Sequence, residues 1–201
     1  MRTVKRVYED NKLVYTYIYI WDGEVLLGGR MEVTDADEPI TIRYLYDESG
    51  ELYGMDYNGN GYYGFIKNLQ GDIVSIVPLD SESDVEMNME YSAWGKVTEN
   101  ATSADTQNIT ETNPIRYRGY YYDTETRLYY LKSRYYDPAV KRFLNADGLI
   151  STGIEDVCKN MFAYCKNDPV NMADSSGNDP VPAWALHIIS GTATKSEYAE
   201  A

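Results

Sequence analysis

The stretch that decides the fold is residues 116–137, RYRGYYYDTETRLYYLKSRYYD. It contains a Tyr-Asp pair followed by an apolar residue five or six positions later, and this unit occurs three times in the chain. The three units are Tyr46-Asp47 with Leu52, Tyr122-Asp123 with Leu128, and Tyr136-Asp137 with Phe143. An aspartate side chain can accept a hydrogen bond from the backbone two residues on and so open a turn. The aromatic residue before it and the apolar residue after it then close a hairpin on one face. The pattern predicts antiparallel hairpins that repeat into a stacked or spiralling sheet.

The composition of the whole chain agrees with a mainly β fold. The 201 residues are 43% hydrophobic and include 21 Tyr but only 3 Phe and 3 Trp. Tyrosine suits strands with one buried and one wet face. Turn signals such as Asp22-Gly23 and Asn58-Gly59 separate short apolar runs upstream, and these dipeptides supply the positive φ that tight hairpins need. We therefore predict short strands joined by hairpin turns.

One helix is predicted, near residues 154–166. Apolar side chains recur there at helical spacing, and Asn167-Asp168-Pro169 is expected to end the helix. The fifteen residues 99–113 hold one large apolar side chain and are predicted to form an exposed polar loop. The expected organisation is a repeat-like sheet over 1–98, the loop over 99–113, a tyrosine-rich core over 114–178 and a short tail over 179–201.

The charge of the chain argues against anionic partners. Eighteen basic and 32 acidic residues leave a net charge of −14, so nucleic acid and anionic membrane surfaces are not expected partners. Residues 114–145 carry seven Lys/Arg and three Asp/Glu, a local +4 that leaves −18 for the rest. Alternating Arg and Tyr there could instead form a platform for single-stranded nucleic acid. Insertion into a membrane is not expected, because the most apolar runs are too short to cross one.

Cofactor and metal sites are not indicated by the sequence. Cys158 and Cys165 are the two cysteines, and we expect buried thiols rather than a disulfide or a zinc site. The only histidine, His187, lies in the tail, so serine-type or cysteine-type catalysis is poorly supported. The first residues show no secretory signal peptide.

An ordered series of motifs in residues 114–178 resembles the Rhs repeat-associated core of bacterial YD-repeat proteins. The motifs are the 116–123 and 128–131 runs, Ser133–Pro138, Arg142–Asp147, Asn160–Cys165, Pro169–Asn171 and Asp174–Gly177. The upstream segments 67–72 and 91–96 resemble YD-repeat shell as well. This resemblance implies a β-shell that encloses a toxin located beyond the core and released by self-cleavage. It also implies a bacterial origin, with full-length relatives secreted or at the cell surface.

The resemblance points to Arg134, Asp147 and Asp174 as the cleaving residues, with the cut in the region of Gly177, Asn178 and Asp179. Two carboxylates held close can share a proton, so that one activates water and the other protonates the leaving group. An arginine can keep one carboxylate ionised or polarise the scissile carbonyl.

The sequence departs from the family pattern at several positions. Ser175 stands where the family has proline, and Asn178 replaces an apolar residue next to the expected cut. Asp147 precedes Gly148 rather than a proline. Arg127 and Lys141 occupy hairpin positions that are usually glycine. If these two positions need positive φ, each costs roughly 1 kcal/mol.

Two interpretations from different classes remain open at this point. In the first, the chain is a shell end that acts as an intramolecular aspartyl-type autoprotease. In the second, it is a non-catalytic structural or surface-interaction β-module, in which Arg134 pairs with an aspartate inside the sheet and Asp147 and Asp174 cap turns. Only 23 residues follow Asn178 (201 minus 178), too few for a toxin domain, so a fragment or a truncated relic is expected.

Overall fold

The computed structural model describes residues 1–59, 61–79, 87–101, 109–148, 160–178 and 180–183. Most elements in these ranges are strands, and the strands form antiparallel pairs. The elements are β1 (Val4–Glu9), β2 (Lys12–Asp22), β3 (Val25–Val33), β4 (Ile40–Tyr46), β5 (Leu52–Tyr57), β6 (Gly61–Lys67), β7 (Ile73–Pro78), β8 (Met87–Tyr91), β9 (Val97–Ala101), α1 (Ile109–Thr112), β10 (Tyr121–Asp123), β11 (Leu128–Leu131), β12 (Arg134–Asp137), β13 (Arg142–Phe143), β14 (Met172–Ala173) and β15 (Val181–Pro182). The prediction of a mainly β, antiparallel fold is confirmed.

The first of two compact units comprises Met1–Phe65 and the described residues from Val77 on to Leu79. Strands β1 to β5 pair in chain order, and each is joined to the next by a turn. In strand β2, one face of the sheet is buried and the other is exposed. Tyr17 and Tyr19 are nearly inaccessible, whereas the intervening Ile18 keeps 37% of its surface exposed, which is the period-two alternation of a strand with one packed face.

The Tyr-Asp units form the hairpins that the sequence predicts. Tyr46 pairs with Leu52, Asp123 with Leu128, and Tyr136 with Phe143. Asp47 and Asp137 open their turns through the side chain. Asp47 Oδ1 accepts a hydrogen bond from the Ser49 N–H at 2.8 Å, and Asp137 Oδ1 accepts one from the Ala139 N–H at 2.8 Å. Asn58 and Gly59 also adopt positive φ (56° and 69°), as expected for a tight hairpin.

The second unit comprises the described residues of Ile66–Ile76 and those from 87 onward. Its core is built from tyrosine rings, among them Tyr117, Tyr129 and Tyr136. Their hydroxyls donate to three consecutive backbone carbonyls of the segment between β8 and β9. The donor and acceptor pairs are Tyr117 with Ala93 (2.9 Å), Tyr136 with Trp94 (2.8 Å) and Tyr129 with Gly95 (2.8 Å). These bonds explain why the core uses tyrosine rather than phenylalanine, since a buried hydroxyl needs a partner.

Two hairpin turns in this unit carry backbone strain. Arg127 and Lys141 have φ of 58° and 63°, as expected if the positions usually occupied by glycine need positive φ. Both side chains are exposed, and the Lys141 ammonium lies 5.4 Å from the centroid of the Trp94 ring. The strained backbone costs about 1 kcal/mol at each position. The hairpins form despite this cost.

Three of the four arginines in residues 116–137 are buried, whereas Arg127 is exposed. Arg116, Arg118 and Arg134 are 0%, 7% and 5% exposed. Arg118 donates from its backbone N–H to Asp72 Oδ1 at 2.9 Å and from its guanidinium to the Pro169 carbonyl at 2.6 Å. These three side chains therefore do not form an exposed platform for single-stranded nucleic acid.

The predicted helix at 154–166 is wrong for the residues that the structure describes there, while 154–159 lie outside them. Asn160 starts a turn, its side chain accepting from the Phe162 N–H at 3.1 Å. Ala163 forms an isolated bridge with Arg142, and a single 3-10 turn covers Cys165–Asn167. The expected apolar stripe also fails, because Met161 and Phe162 are 40% and 43% exposed. Pairing with β13 takes the backbone hydrogen bonds that a helix would have used.

The predicted exposed loop over 99–113 needs correction at both ends. Strand β9 extends through Ala101, and Ile109–Thr112 forms the helical turn α1. Ile109 is 2% exposed and Asn113 is fully buried. Residues 102–108 lie outside the described part of the chain. The division of the chain into 1–98, 99–113, 114–178 and 179–201 stays a prediction.

No helix in the described ranges is long and apolar enough to cross a membrane.

Candidate active site

Three segments far apart in the chain meet at one buried arginine. Arg134 is the first residue of β12, directly after the tight turn that follows β11. Asp147 follows β13, and its backbone N–H donates to the Met161 carbonyl at 2.9 Å. Asp174 directly follows β14, and its backbone N–H donates to the Tyr120 hydroxyl at 2.9 Å. The structure thus brings together all three residues to which the resemblance assigned catalysis, although their catalytic role stays a prediction.

The Arg134 guanidinium is surrounded by oxygen atoms. Its Nη1 lies 3.1 Å from Asp147 Oδ2, and its Nη2 lies 3.4 Å from Asp174 Oδ2. The same group donates to backbone carbonyls: Nε to Gly177, Nη1 to Met161 at 3.2 Å and Nη2 to Asn178 at 3.4 Å. The Phe143 ring covers one face, with its centroid 3.7 Å from Arg134 Cζ. One cation therefore links both carboxylates to the backbone of 177–178.

Asp174 is the more buried of the two carboxylates. Its side chain is 1% exposed. Oδ1 accepts hydrogen bonds from the N–H groups of Gly177 at 2.7 Å and Asn178 at 3.1 Å. Burial raises the pKa of Asp174, although these backbone bonds and the Arg134 charge oppose the shift. The environment therefore favours the neutral acid at Asp174 more than water does.

Asp147 has a different environment. Its side chain is 16% exposed, and its ion pair with Arg134 is the shorter of the two by 0.3 Å (3.4 minus 3.1). Arg134 thus lies closer to Asp147, whereas burial raises the pKa of Asp174. Two carboxylates whose environments differ in this way can take the roles of base and acid.

The segment between Asp174 and Asn178 is held from the opposite side by the turn before β12. Ser133 Oγ lies 2.8 Å from the carbonyl oxygens of both Ser176 and Gly177. Gly177 has φ of 75°, and a Cβ there would lie 2.5 Å from the Leu131 carbonyl oxygen. Only glycine fits this close approach without strain.

Two residues of the site were missed by the sequence analysis. Ser133 belongs to the Ser-Arg-Tyr-Tyr-Asp motif but received no role, because nothing local indicated that it reaches residues more than forty positions away. Tyr120 lies among many tyrosines and had no distinguishing signal. Its hydroxyl accepts from Tyr164 Oη at 3.2 Å as well as from the Asp174 backbone, so it anchors the start of the 174–178 turn.

Other predicted site features are placed only in part. Gly177 and Asn178 lie at the arginine, whereas Asp179 is outside the described residues, as are Cys158 and His187. Cys165 is a buried free thiol, and burial raises its pKa to about 12. In the ranges that the structure describes, no group of three or more His, Cys, Asp or Glu side chains is arranged to hold a metal ion.

Known proteins share this architecture. Residues 32–170 match the family described as Teneurin YD-shell. Among curated relatives, the tRNA nuclease WapA of Bacillus subtilis is 36% identical over 160 residues, which is 80% of this chain and 6% of that protein. The double-stranded DNA deaminase toxin A of Burkholderia cenocepacia is 36% identical over 98 residues, 49% of this chain and 6% of that protein.

Solved structures show the same fold. The crystal structure of TcdB2-TccC3 matches with a TM-score of 0.64 at 22% identity, over 87% of this chain and 8% of that one. The Photorhabdus luminescens Tc holotoxin pore matches with a TM-score of 0.61 at 20% identity, over 90% of this chain and 9% of that one. This chain therefore spans less than a tenth of the length of the proteins it is compared with here. With more than half of its residues in the family match and the same fold in solved toxin shells, the chain belongs to the Teneurin YD-shell family of Rhs/YD-repeat proteins.

Proposed function

We propose that this chain is the C-terminal end of a bacterial YD-repeat shell that encloses a toxin, and that it cuts its own backbone near residue 178. Relatives named as a tRNA nuclease and a DNA deaminase toxin support the toxin, and the fold shared with Tc toxin structures supports the shell. The partners proposed are an upstream YD-repeat shell and a C-terminal toxin segment. We also propose that the full-length protein is secreted or displayed at the cell surface.

The observation that carries the self-cleavage proposal is that one guanidinium holds two carboxylates and two consecutive backbone carbonyls. Arg134 bonds to Asp147 and Asp174 and also to the carbonyl oxygens of Gly177 and Asn178. A cation at a carbonyl oxygen stabilises the negative charge that develops there when the carbon is attacked. Peptide cleavage needs an acid and a base, and the two carboxyl groups that could supply them both contact Arg134.

The different environments of the carboxylates assign their roles. Asp147, closer to the cation and partly open to water, takes a proton from the attacking water. Arg134 stabilises the oxyanion formed at the Asn178 carbonyl. Asp174, whose pKa is raised by burial, protonates the departing amine of Asp179 when it carries a proton. The carbon–nitrogen bond between residues 178 and 179 breaks, and one water is consumed.

A non-catalytic role is the second candidate, and one observation favours it. Asp174 Oδ1 binds two backbone N–H groups of its own turn, just as Asp47 Oδ1 binds those of Ser49 and Glu51 at 2.8 and 2.9 Å. Asp47 lies in an ordinary hairpin. By this interpretation Asp174 shapes a turn, Arg134 neutralises it, and the chain is a structural or surface-interaction module.

Intact mass separates the two candidates. The full chain, isolated in denaturant and refolded at neutral pH, is expected to convert from 22.9 kDa to a fragment that ends near residue 178. Asp147→Asn and Asp174→Asn are each expected to slow this conversion by about 100-fold or more. Asp47→Asn is the matched control, since it alters a similar turn cap and should cleave like wild type. A refolded chain that stays intact for days supports the structural module instead.

The cleavage rate is expected to fall as pH rises through the pKa of Asp174. Burial raises this pKa, so the folded state holds the proton to higher pH than the unfolded state does. The stabilising contribution of neutral Asp174 is therefore complete below its unfolded pKa and lost as pH rises through its folded pKa. Cleavage rates measured across pH should follow the same protonated fraction. A rate that increases with pH through this range contradicts the assignment of Asp174 as the acid.

A further inference from the structure

We propose that Asn178 is the nucleophile of the cleavage, its side-chain amide nitrogen attacking its own backbone carbonyl carbon. The product is a chain that ends in a five-membered succinimide, with Asp179 as the new N-terminus of the released peptide. This inference rests on the proposed self-cleavage near residue 178 and replaces the attacking water in it. The motive is chemical: the residue at the expected cut carries a carboxamide, whereas an apolar residue there has no nucleophile.

The backbone of Asn178 is held on both sides in the structure. Its N–H donates to Asp174 Oδ1 at 3.1 Å and lies 3.3 Å from Ser176 Oγ. Its carbonyl oxygen accepts from Arg134 Nη2 at 3.4 Å. The carbonyl that would be attacked is thus polarised by a buried cation, which is what a weak nucleophile such as a carboxamide needs.

Burial favours a nucleophile supplied by the chain itself. Arg134 is 5% exposed, Asp174 is fully buried and Gly177 is buried, whereas Asn178 itself is half-buried. The side of the attacked carbonyl that faces the first three residues is thus poorly open to bulk water. The Asn178 side chain is covalently attached to the carbon it attacks. An intramolecular attack of this kind avoids the entropic cost of positioning a separate water molecule.

The atoms balance without an added reactant. A bond forms between Asn178 Nδ2 and the Asn178 carbonyl carbon, and the bond from that carbon to the Asp179 nitrogen breaks. Asp147 takes a proton from Nδ2, and Asp174 gives a proton to the leaving amine. Solvent then restores both carboxyl groups to their starting states. No water enters until the succinimide is hydrolysed in a later, separate step.

The test follows cleavage of the refolded full chain by mass spectrometry. If Asn178 attacks, the early N-terminal fragment is lighter by one water molecule than the product of hydrolysis at the same bond. Hydroxylamine added during refolding should trap the succinimide as a hydroxamate. Asn178→Leu and Asn178→Asp, which lack the amide nitrogen, should lose cleavage by about 100-fold or more.

The controls keep this inference separate from the proposal it rests on. If Asn178→Leu cleaves as fast as wild type and the first fragment already contains the added water, hydrolysis operates; the present inference is then wrong and self-cleavage stands. If the refolded wild type does not cleave at all, both fail. Asn171→Leu, at an exposed asparagine of the preceding turn, controls for loss of an asparagine in the same region. Near-ultraviolet circular dichroism establishes that each variant is folded.

Discussion

Replacing Arg134 by methionine is expected to lower the free energy of unfolding by about 3–5 kcal/mol, because the change leaves the buried carboxyl and carbonyl oxygens around Arg134 without their cation. Asp174, 1% exposed, and the carbonyl oxygens of Gly177 and Asn178 would lose their donor in a site with little access to water. Methionine fills a similar volume against Phe143, so the loss comes mainly from the unpaired polar groups. Self-cleavage, as proposed, should be lost as well.

Urea unfolding monitored by circular dichroism measures this effect. Arg142→Met is the matched control, since Arg142 lies in the same unit, is exposed, and donates a hydrogen bond from its side chain to Asn167 Oδ1 at 3.3 Å. We expect that control to change stability by less than about 0.5 kcal/mol. Equal effects of the two substitutions would show that the carboxylates and carbonyls around Arg134 do not depend on it.

Replacing Gly177 by alanine should have the next largest effect. Its φ of 75° costs a residue with a Cβ roughly 1–2 kcal/mol. The added carbon would also lie 2.5 Å from the Leu131 carbonyl oxygen and 2.7 Å from Ser133 Oγ. The turn would have to shift, and the bonds from Ser133 and Arg134 to the 176–178 backbone would weaken. We therefore expect a loss of about 3 kcal/mol in total and slower cleavage.

Gly119→Ala isolates the contribution of the close contact. Gly119 has a similar φ of 70°, but a Cβ there would meet nothing within 4 Å. Its substitution should therefore carry only the conformational cost. Thermal or urea unfolding of both variants gives the difference directly. If the two alanine variants were equally stable, the packing of the 174–178 segment against the turn before β12 would be looser than the structure indicates.

The local features of this fold could be predicted because the interactions that form them span only a few residues. Asp47 reaches the Ser49 backbone, two residues on, and Asp137 reaches Ala139 in the same way. A Tyr-Asp turn can therefore be predicted from a few consecutive residues. Positive φ at Arg127 and Lys141 was expected only from the resemblance, because the related hairpins usually have glycine at these positions.

For residues 160–166, the described part of the predicted helix, the prediction failed for a reason that lies outside the segment. Spacing alone cannot tell a helical stripe from residues that alternate between turn and bridge. Backbone pairing of Phe162 and Ala163 with the strand at Phe143 and Arg142 decided the outcome. Asn113 was predicted to lie in an exposed loop but is fully buried. Its side chain forms hydrogen bonds with the Ile115 backbone, and these bonds compensate for the loss of water.

The sequence by itself determined the hairpins and the tyrosine-rich character of the core, and its resemblance to the Rhs core pointed to the three charged residues that meet. Only the tertiary structure decided how deeply those residues are buried and how far apart they lie. Arg134 meets Asp174 across 40 positions, and Ser133 meets Gly177 across 44. The difference between a buried Asp174 and a partly exposed Asp147 arises from this packing, because burial and distance to a cation set the protonation of a carboxyl group. Neither quantity is encoded in any short stretch of the chain.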